Sequence, residues 1–186
     1  VRLGNNAAFG QMSGVDTRSV AVDNVESVEV ISGVPSAEYG DLGSGMVKIH
    51  TKRGRTPFNL AFTVNPRTWQ TSVSKGVGLP GDGGVLNLSA EWARATKKLA
   101  SPYESYTRRG LGMTYSNTFA KVLRFEAGVN GNLGGMDSKD DPDAFVGEYS
   151  KARANSLRAN TSFTWLLNRS WITNLKADAF VSYADN

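Results

Sequence analysis

The stretch VLNLSAEW (85–92) alternates: Leu86, Leu88, Ala90 and Trp92 are interleaved with Asn87, Ser89 and Glu91. Successive side chains of an extended chain point to opposite faces, so this pattern predicts a strand with one apolar and one polar face. The same period of two continues in both directions. Phe58, Leu60, Phe62 and Val64 share a face opposite Asn59 and Thr63. Leu111, Met113 and Tyr115 repeat it, and Leu123, Phe125, Ala127 and Val129 alternate with Arg124, Glu126 and Asn130. Ala159, Phe163, Trp165 and Leu167 alternate with Arg158, Asn160 and Ser162. Leu175, Ala177, Ala179 and Val181 alternate with Lys176, Asp178 and Ser182. Seven antiparallel strands are predicted, at 57–65, 67–76, 84–96, 107–117, 121–133, 155–168 and 171–184.

The connections, in order, are NPRT, LPGDGG, a loop around KKLASPYES, a turn at NTFA, a long acidic loop over 134–154, and a turn at LNRS. Pro66 carries no N–H for a ladder and belongs in the first turn. LPGDGG, NTFA and LNRS fall at one end of the strands, and the two long loops at the other. Short turns at one end and longer loops at the other are the habit of outer-membrane barrels. Alternation alone also fits a soluble sandwich, since both have strands with one apolar face. Two further features favour the barrel. Trp165, Trp171, Tyr115 and Phe119 flank the NTFA and LNRS turns, while Trp69, Trp92 and Tyr183 lie nearer the opposite ends. Two aromatic bands suit two membrane interfaces. Several predicted strands also reach about 13 residues, against a mode of roughly 5–6 in globular proteins and roughly 9–11 for a tilted membrane strand.

Composition excludes more than it selects. There is no cysteine, so disulfides, thiolate metal sites and thiol nucleophiles are ruled out. The single histidine, His50, argues against a histidine-based metal or catalytic centre. The net charge of +4 comes from scattered basic residues, which argues against nucleic acid as a partner. VRLGNNAAFG (1–10) lacks the basic and apolar regions of a signal peptide, and no run of 18 apolar residues suggests a membrane helix. A membrane barrel needs no such run. No cofactor is expected, and nothing marks an enzyme: no cleft, activated nucleophile or metal set is legible.

Residues 1–54 have a different texture, read as a mixed α/β segment. Asp23 supplies a helix-start signal ahead of a strand over Val28 to Ile31; Pro35 suits the first turn of a short helix, and Gly40 its end. MVKIHT (46–51) reads as a second strand. YGDLGSG (39–45) has neither the Gly-Lys-Ser/Thr ending of a P-loop nor the spacing of a dinucleotide fingerprint. Its glycines, Gly40, Gly43 and Gly45, are better read as a tight backbone turn.

VESVEVISGVPSAEYGDLGSGMVKIHTKRG (25–54) resembles the C-terminal part of the plug domain of TonB-dependent outer-membrane receptors, of a Bacteroidetes-like kind. That family's pattern is an "IExIEV" strand, a glycine, a short helix with "SAxYG", a glycine-rich turn and a strand ending in "TK". Glu26, Glu29, Val30, Gly33, Ser36, Ala37, Tyr39, Gly40, Gly45, Val47, Ile49, Thr51 and Lys52 match it. The resemblance implies that residues 1–54 are the C-terminal part of a plug, and residues 55–186 the N-terminal strands of an incomplete barrel. It implies the plug-motif residues Glu26, Glu29, Gly33, Ser36, Tyr39, Gly40, Gly43 and Gly45 as structural parts of a gate. Such a receptor of a Gram-negative outer membrane imports a scarce nutrient by energy-coupled plug movement. Its implied partners are outer-membrane lipid, a TonB-type energy-transducing protein, the remainder of its own barrel, and a surface lipoprotein or larger outer-membrane complex. Siderophore, cobalamin, oligosaccharide and peptide all stay open as substrates. The glycan-importing branch's "DASAxxIYGARGxxGV" differs from GVPSAEYGDLGSG at several positions.

Within that frame, Arg124, Glu126, Arg158, Lys176 and Asp178 are the lumen-facing candidates, and Trp69, Trp92, Tyr115, Trp165 and Trp171 the aromatic-girdle candidates. Asp137, Asp140, Asp141 and Asp143 are weak candidates for a divalent cation. Lys139 stands where an EF-hand would place its second ligand, so a solvated loop is the plainer reading. Two alternatives differ in class: an outer-membrane protein keeping the plug-barrel fold as an assembly scaffold, and a soluble β-rich binding module.

Overall fold

The computed structural model describes residues 25–31, 46–52, 54–96, 103–140, 142 and 149–185. Among them the protein is mainly β, with ten antiparallel strands and no helix. Two sheets are present. The smaller pairs β1 (Val25–Ile31) with β2 (Met46–Thr51). The strand reading of MVKIHT therefore holds, and β1 begins three residues ahead of Val28. The segment holding the expected short helix, with Pro35 and Gly40, lies outside the described residues, as does Asp23.

The larger sheet contains β3 (Asn59–Asn65), β4 (Thr68–Gly78), β5 (Val85–Thr96), β6 (Glu104–Phe119), β7 (Leu123–Ser138), β8 (Ser150–Arg153), β9 (Asn155–Leu166) and β10 (Asn174–Asp185). Its order is β10-β9-β7-β6-β5-β4-β3, with β8 beside β7. Apart from β8, which lies beside β7 in line with β9, each strand pairs with the next along the chain, the meander expected of hairpin-connected alternating strands. Among the described residues β3 and β10 are free edges and do not pair with each other.

Two expectations need correction. The count is eight strands where seven were read, and the acidic loop is shorter than 134–154. β7 runs on to Ser138, and β8 pairs with that extension from Gly135↔Arg153 to Ser138↔Ser150. β8 and β9 keep a single register on β7, interrupted only at Ala154, whose N–H still donates to Gly134 O at 2.9 Å. Ladder hydrogen bonds are made by the backbone, so a strand continues through Gly134–Ser138 without any apolar period to announce it.

The connections explain themselves chemically. In NPRT, the Asn65 side-chain oxygen accepts from the N–H groups of Arg67 (3.1 Å) and Thr68 (2.8 Å). In LPGDGG, Gly84 has φ +82°, and a Cβ there would meet Ser116 O at 2.5 Å, so both conformation and space require glycine. That turn is latched from β6: the Tyr115 hydroxyl donates to Gly83 O at 2.9 Å, and Asn117 Nδ2 to Asp82 O at 2.9 Å. Between β6 and β7, Ala120 (φ 49°) and Lys121 (φ 60°) form a turn closed by Val122 N–H on Phe119 O at 3.1 Å. Positive φ at both central residues matches the right-handed twist of the flanking strands.

Candidate functional site

The large sheet carries its chemistry as two unlike faces, sorted by register. One row on the polar face is Ser72–Glu91–Gly110–Asn132–Ser156, and the next is Ser74–Ser89–Gly112–Asn130–Arg158–Ser182. A third begins Gly76–Asn87–Thr114–Gly128–Asn160. The opposite face carries the rows Leu60–Val73–Ala90–Leu111–Gly131–Leu157–Tyr183 and Lys75–Leu88–Met113–Val129–Ala159–Val181.

Exposure is inverted relative to a water-soluble fold. Among the described residues, Ser72, Asn87, Glu91, Arg108, Thr114, Asn132 and Arg158 are buried, whereas the buried apolar residues are only Ile49 and Ala93. Leu111 and Val181, on the apolar face, are each 70% exposed. Glycines help the polar face to close on itself. A Cβ on Gly110 would meet Glu91 Cγ at 2.8 Å, and one on Gly112 would meet Ser89 Oγ at 2.5 Å. The absent side chains leave room for long polar neighbours to lie across the sheet.

Glu91 and Arg108 form a close charged contact on this face. Ala93 stands opposite Arg108, so Arg108 reaches Glu91 on the diagonal and brings Nε to 2.8 Å from Oε1. The contact is an ion pair whose angle departs from a good hydrogen bond. The Arg108 side chain is only 10% exposed and that of Glu91 2%, so removing Glu91 would leave the buried Arg108 guanidinium without this ion pair.

The five lumen-facing candidates occupy this same face. Arg124 shares a row with Thr164 and Lys176, and Glu126 with Ser162 and Asp178. Lys176 and Asp178 form an exposed ion pair at 3.3 Å. Arg158 donates from Nη2 to Ser156 Oγ at 3.4 Å. Glu91 and Arg108, the most enclosed pair, were not singled out from the sequence. Glu91 is legible on the polar side of VLNLSAEW, but its partnership with Arg108 depends on register across two strands.

Of the aromatic candidates, Trp69 and Trp92 occupy adjacent rows at one end of the apolar face. Trp165 and Tyr115 lie toward the other end, with exposed Trp171 in the adjoining turn. Tyr115 packs its ring against Phe125 at 6.1 Å, in addition to latching the glycine turn. Of the plug-motif residues, Glu26 and Glu29 lie on β1; Gly33, Ser36, Tyr39, Gly40, Gly43 and Gly45 lie outside the described residues. Glu29 faces Lys48 at 3.8 Å and His50 at 3.6 Å.

Asp137 stands on β7 with Lys139 at 4.0 Å, Asp140 follows the strand, and Asp141 and Asp143 lie outside the described residues. Among the described residues no three His, Cys, Asp or Glu side chains gather as metal ligands would.

The link between the sheets arrives on the polar face. Gly76 N–H donates to Thr56 O at 3.1 Å, a Cβ on Gly76 would meet Gly54 O at 2.5 Å, and the Arg55 guanidinium passes over Gly78. Gly76 and Gly78 both belong to the polar side of β4.

Comparison with protein-family models, with curated proteins and with solved structures finds no match to this chain. Among the described residues no helix is long and apolar enough to cross a membrane, which leaves crossing by strands open.

Proposed function

We propose that this chain is part of a TonB-dependent outer-membrane transporter. Residues 1–54 supply the last part of the plug, and 55–186 supply strands of the enclosing barrel, which further strands complete by pairing with β3 and β10. The observation that carries the reading is the inverted exposure of the large sheet. A single-layer sheet that shows leucine, valine and phenylalanine outward and encloses glutamate, arginine and asparagine is matched to lipid on one side and an aqueous lumen on the other.

The dimensions agree. On β7 the apolar face runs from Leu123 to Leu133. At about 3.4 Å per residue this is about 34 Å along the strand, or about 26 Å of depth at a tilt of about 40°, against a lipid-facing band of about 25 Å in outer-membrane barrels. The linker's arrival on the polar face agrees with a plug inside the lumen. Lys75 interrupts the apolar rows, one strand from the sheet edge; a lysine at such an edge can lay its alkyl stem on apolar neighbours and carry its ammonium toward a polar layer. The function that follows is gated import: the lumen admits a scarce external substrate when the energy-transducing partner moves the plug.

Alkaline carbonate washing of cells producing the whole receptor tests the membrane placement. Retention in the outer-membrane pellet is expected, and release into the wash overturns the reading. Growth on the limiting nutrient should then require both the receptor and the energy-transducing protein. A receptor that works equally well without that protein would be a scaffold or passive pore.

A further inference from the structure

At one end of the apolar face the outward side chains change character. The row above the apolar band is Trp69–Arg94–Thr107–Gly135–Arg153, and the row below it contains Thr71–Trp92–Arg109–Leu133. Arg94, Arg109 and Arg153 are all exposed. None of the three has a carboxylate partner among the described residues. Asp137, the acid nearest in register on this face, stands opposite Lys151 and has Lys139 at 4.0 Å. Arg94 and Arg153 are separated by three strand spacings, about 14 Å, with Arg109 beneath the middle of the gap. Directly below lies a hollow of about 770 Å³ that includes Val73, Ala90, Trp92, Leu111, Leu133 and Leu157, with Arg109 at its rim.

We propose that this patch is a binding site for a membrane lipid with a phosphorylated headgroup, a proposal that rests on the membrane reading above. The three guanidiniums present forked donors to phosphate oxygens. Trp69 and Trp92 set the interfacial level at which a headgroup lies. The hollow below accepts an acyl chain, which is why the occupant is a lipid and not a free anion or an acidic protein. A water-soluble anion would use the arginines and leave the hollow empty. An acidic protein would need the apolar rows beside the arginines to be free of lipid.

The test uses the whole receptor in phosphatidylcholine nanodiscs with and without phosphatidylglycerol, followed by native mass spectrometry of retained lipid. Selective retention of phosphatidylglycerol is expected. Arg94→Gln/Arg109→Gln/Arg153→Gln should weaken that retention about 100-fold, whereas lysine at all three positions should keep most of it, because each cation near an anionic surface contributes severalfold. The lysine triple also controls for folding. Equal retention of both lipids, or unchanged selectivity in the glutamine triple, would overturn the lipid site and leave the membrane assignment standing. Displacement of the lipid by millimolar inorganic phosphate would mean a free-anion site and also overturn it. A receptor that enters neither nanodisc would remove the membrane reading and the lipid site together.

Discussion

Met113 lies on β6 between Leu88 and Val129, on the apolar face, four residues from Arg109 and six from Phe119. At about 3.4 Å per residue and a tilt of about 40°, it sits about 10 Å below the arginine row and about 16 Å above the phenylalanine. In the bilayer placement proposed above, that is too deep for a guanidinium to reach an interface without dragging water or headgroups inward. Met113→Arg is therefore expected to destabilise the whole receptor by about 2–4 kcal/mol in a phospholipid bilayer. The folding equilibrium would fall by roughly 30- to 700-fold, at about 1.4 kcal/mol per factor of ten. The mirror change, Lys75→Leu in the same row, should stabilise, by less because Lys75 lies nearer the sheet edge. Urea titration of receptor in large unilamellar vesicles, followed by tryptophan fluorescence, measures both. If the face were bathed in water, a charge at the half-exposed Met113 would change stability by no more than about 0.5 kcal/mol. A Met113→Arg shift inside that limit would refute the lipid assignment of the whole face.

Three other outcomes are expected. Glu91→Ala should cost about 3–5 kcal/mol by leaving Arg108 buried and unpaired, and Glu91→Ala/Arg108→Ala should cost clearly less than the two single changes added together; equilibrium unfolding of the four variants gives the coupling directly. Ala120→Asn/Lys121→Gly, which places favoured residues at two positive-φ positions, should stabilise by about 1 kcal/mol, read as a shift in urea midpoint with an unchanged slope. Residues 1–186 expressed alone should aggregate, because two unpaired edges and a broad apolar face are left uncovered; a monodisperse, cooperatively unfolding species in size-exclusion chromatography and denaturation would contradict the open-sheet account.

Much of the large sheet is legible in the chain. The period of two over 85–92 and its repeats places the seven principal strands within a few residues, because a strand that meets different media on its two faces must alternate. Asn65-Pro66 and the glycines of LPGDGG mark turns through properties of single residues. The stretch over Gly134–Ser138 shows where this reading stops. Small and polar residues continue the β7 ladder there with no contrast between faces, and β8 with its Lys-Ala-Arg core is hidden for the same reason.

The candidate site divides in the same way. Membership of the polar face follows from alternation alone, and Arg124, Glu126, Arg158, Lys176 and Asp178 lie on one face by register. The pairing of Glu91 with Arg108 spans 17 residues, and the row uniting Arg94, Thr107, Gly135 and Arg153 crosses four strands; no local pattern encodes either. Alternation gives each strand two faces without saying which one is enclosed, since a sandwich and a barrel wall share the same period. That choice appears only when neighbouring strands are laid in register. Enclosure of a side chain depends on what stands beside it on other strands, and here glycines lie beside the long polar groups, leaving the leucines and valines facing outward.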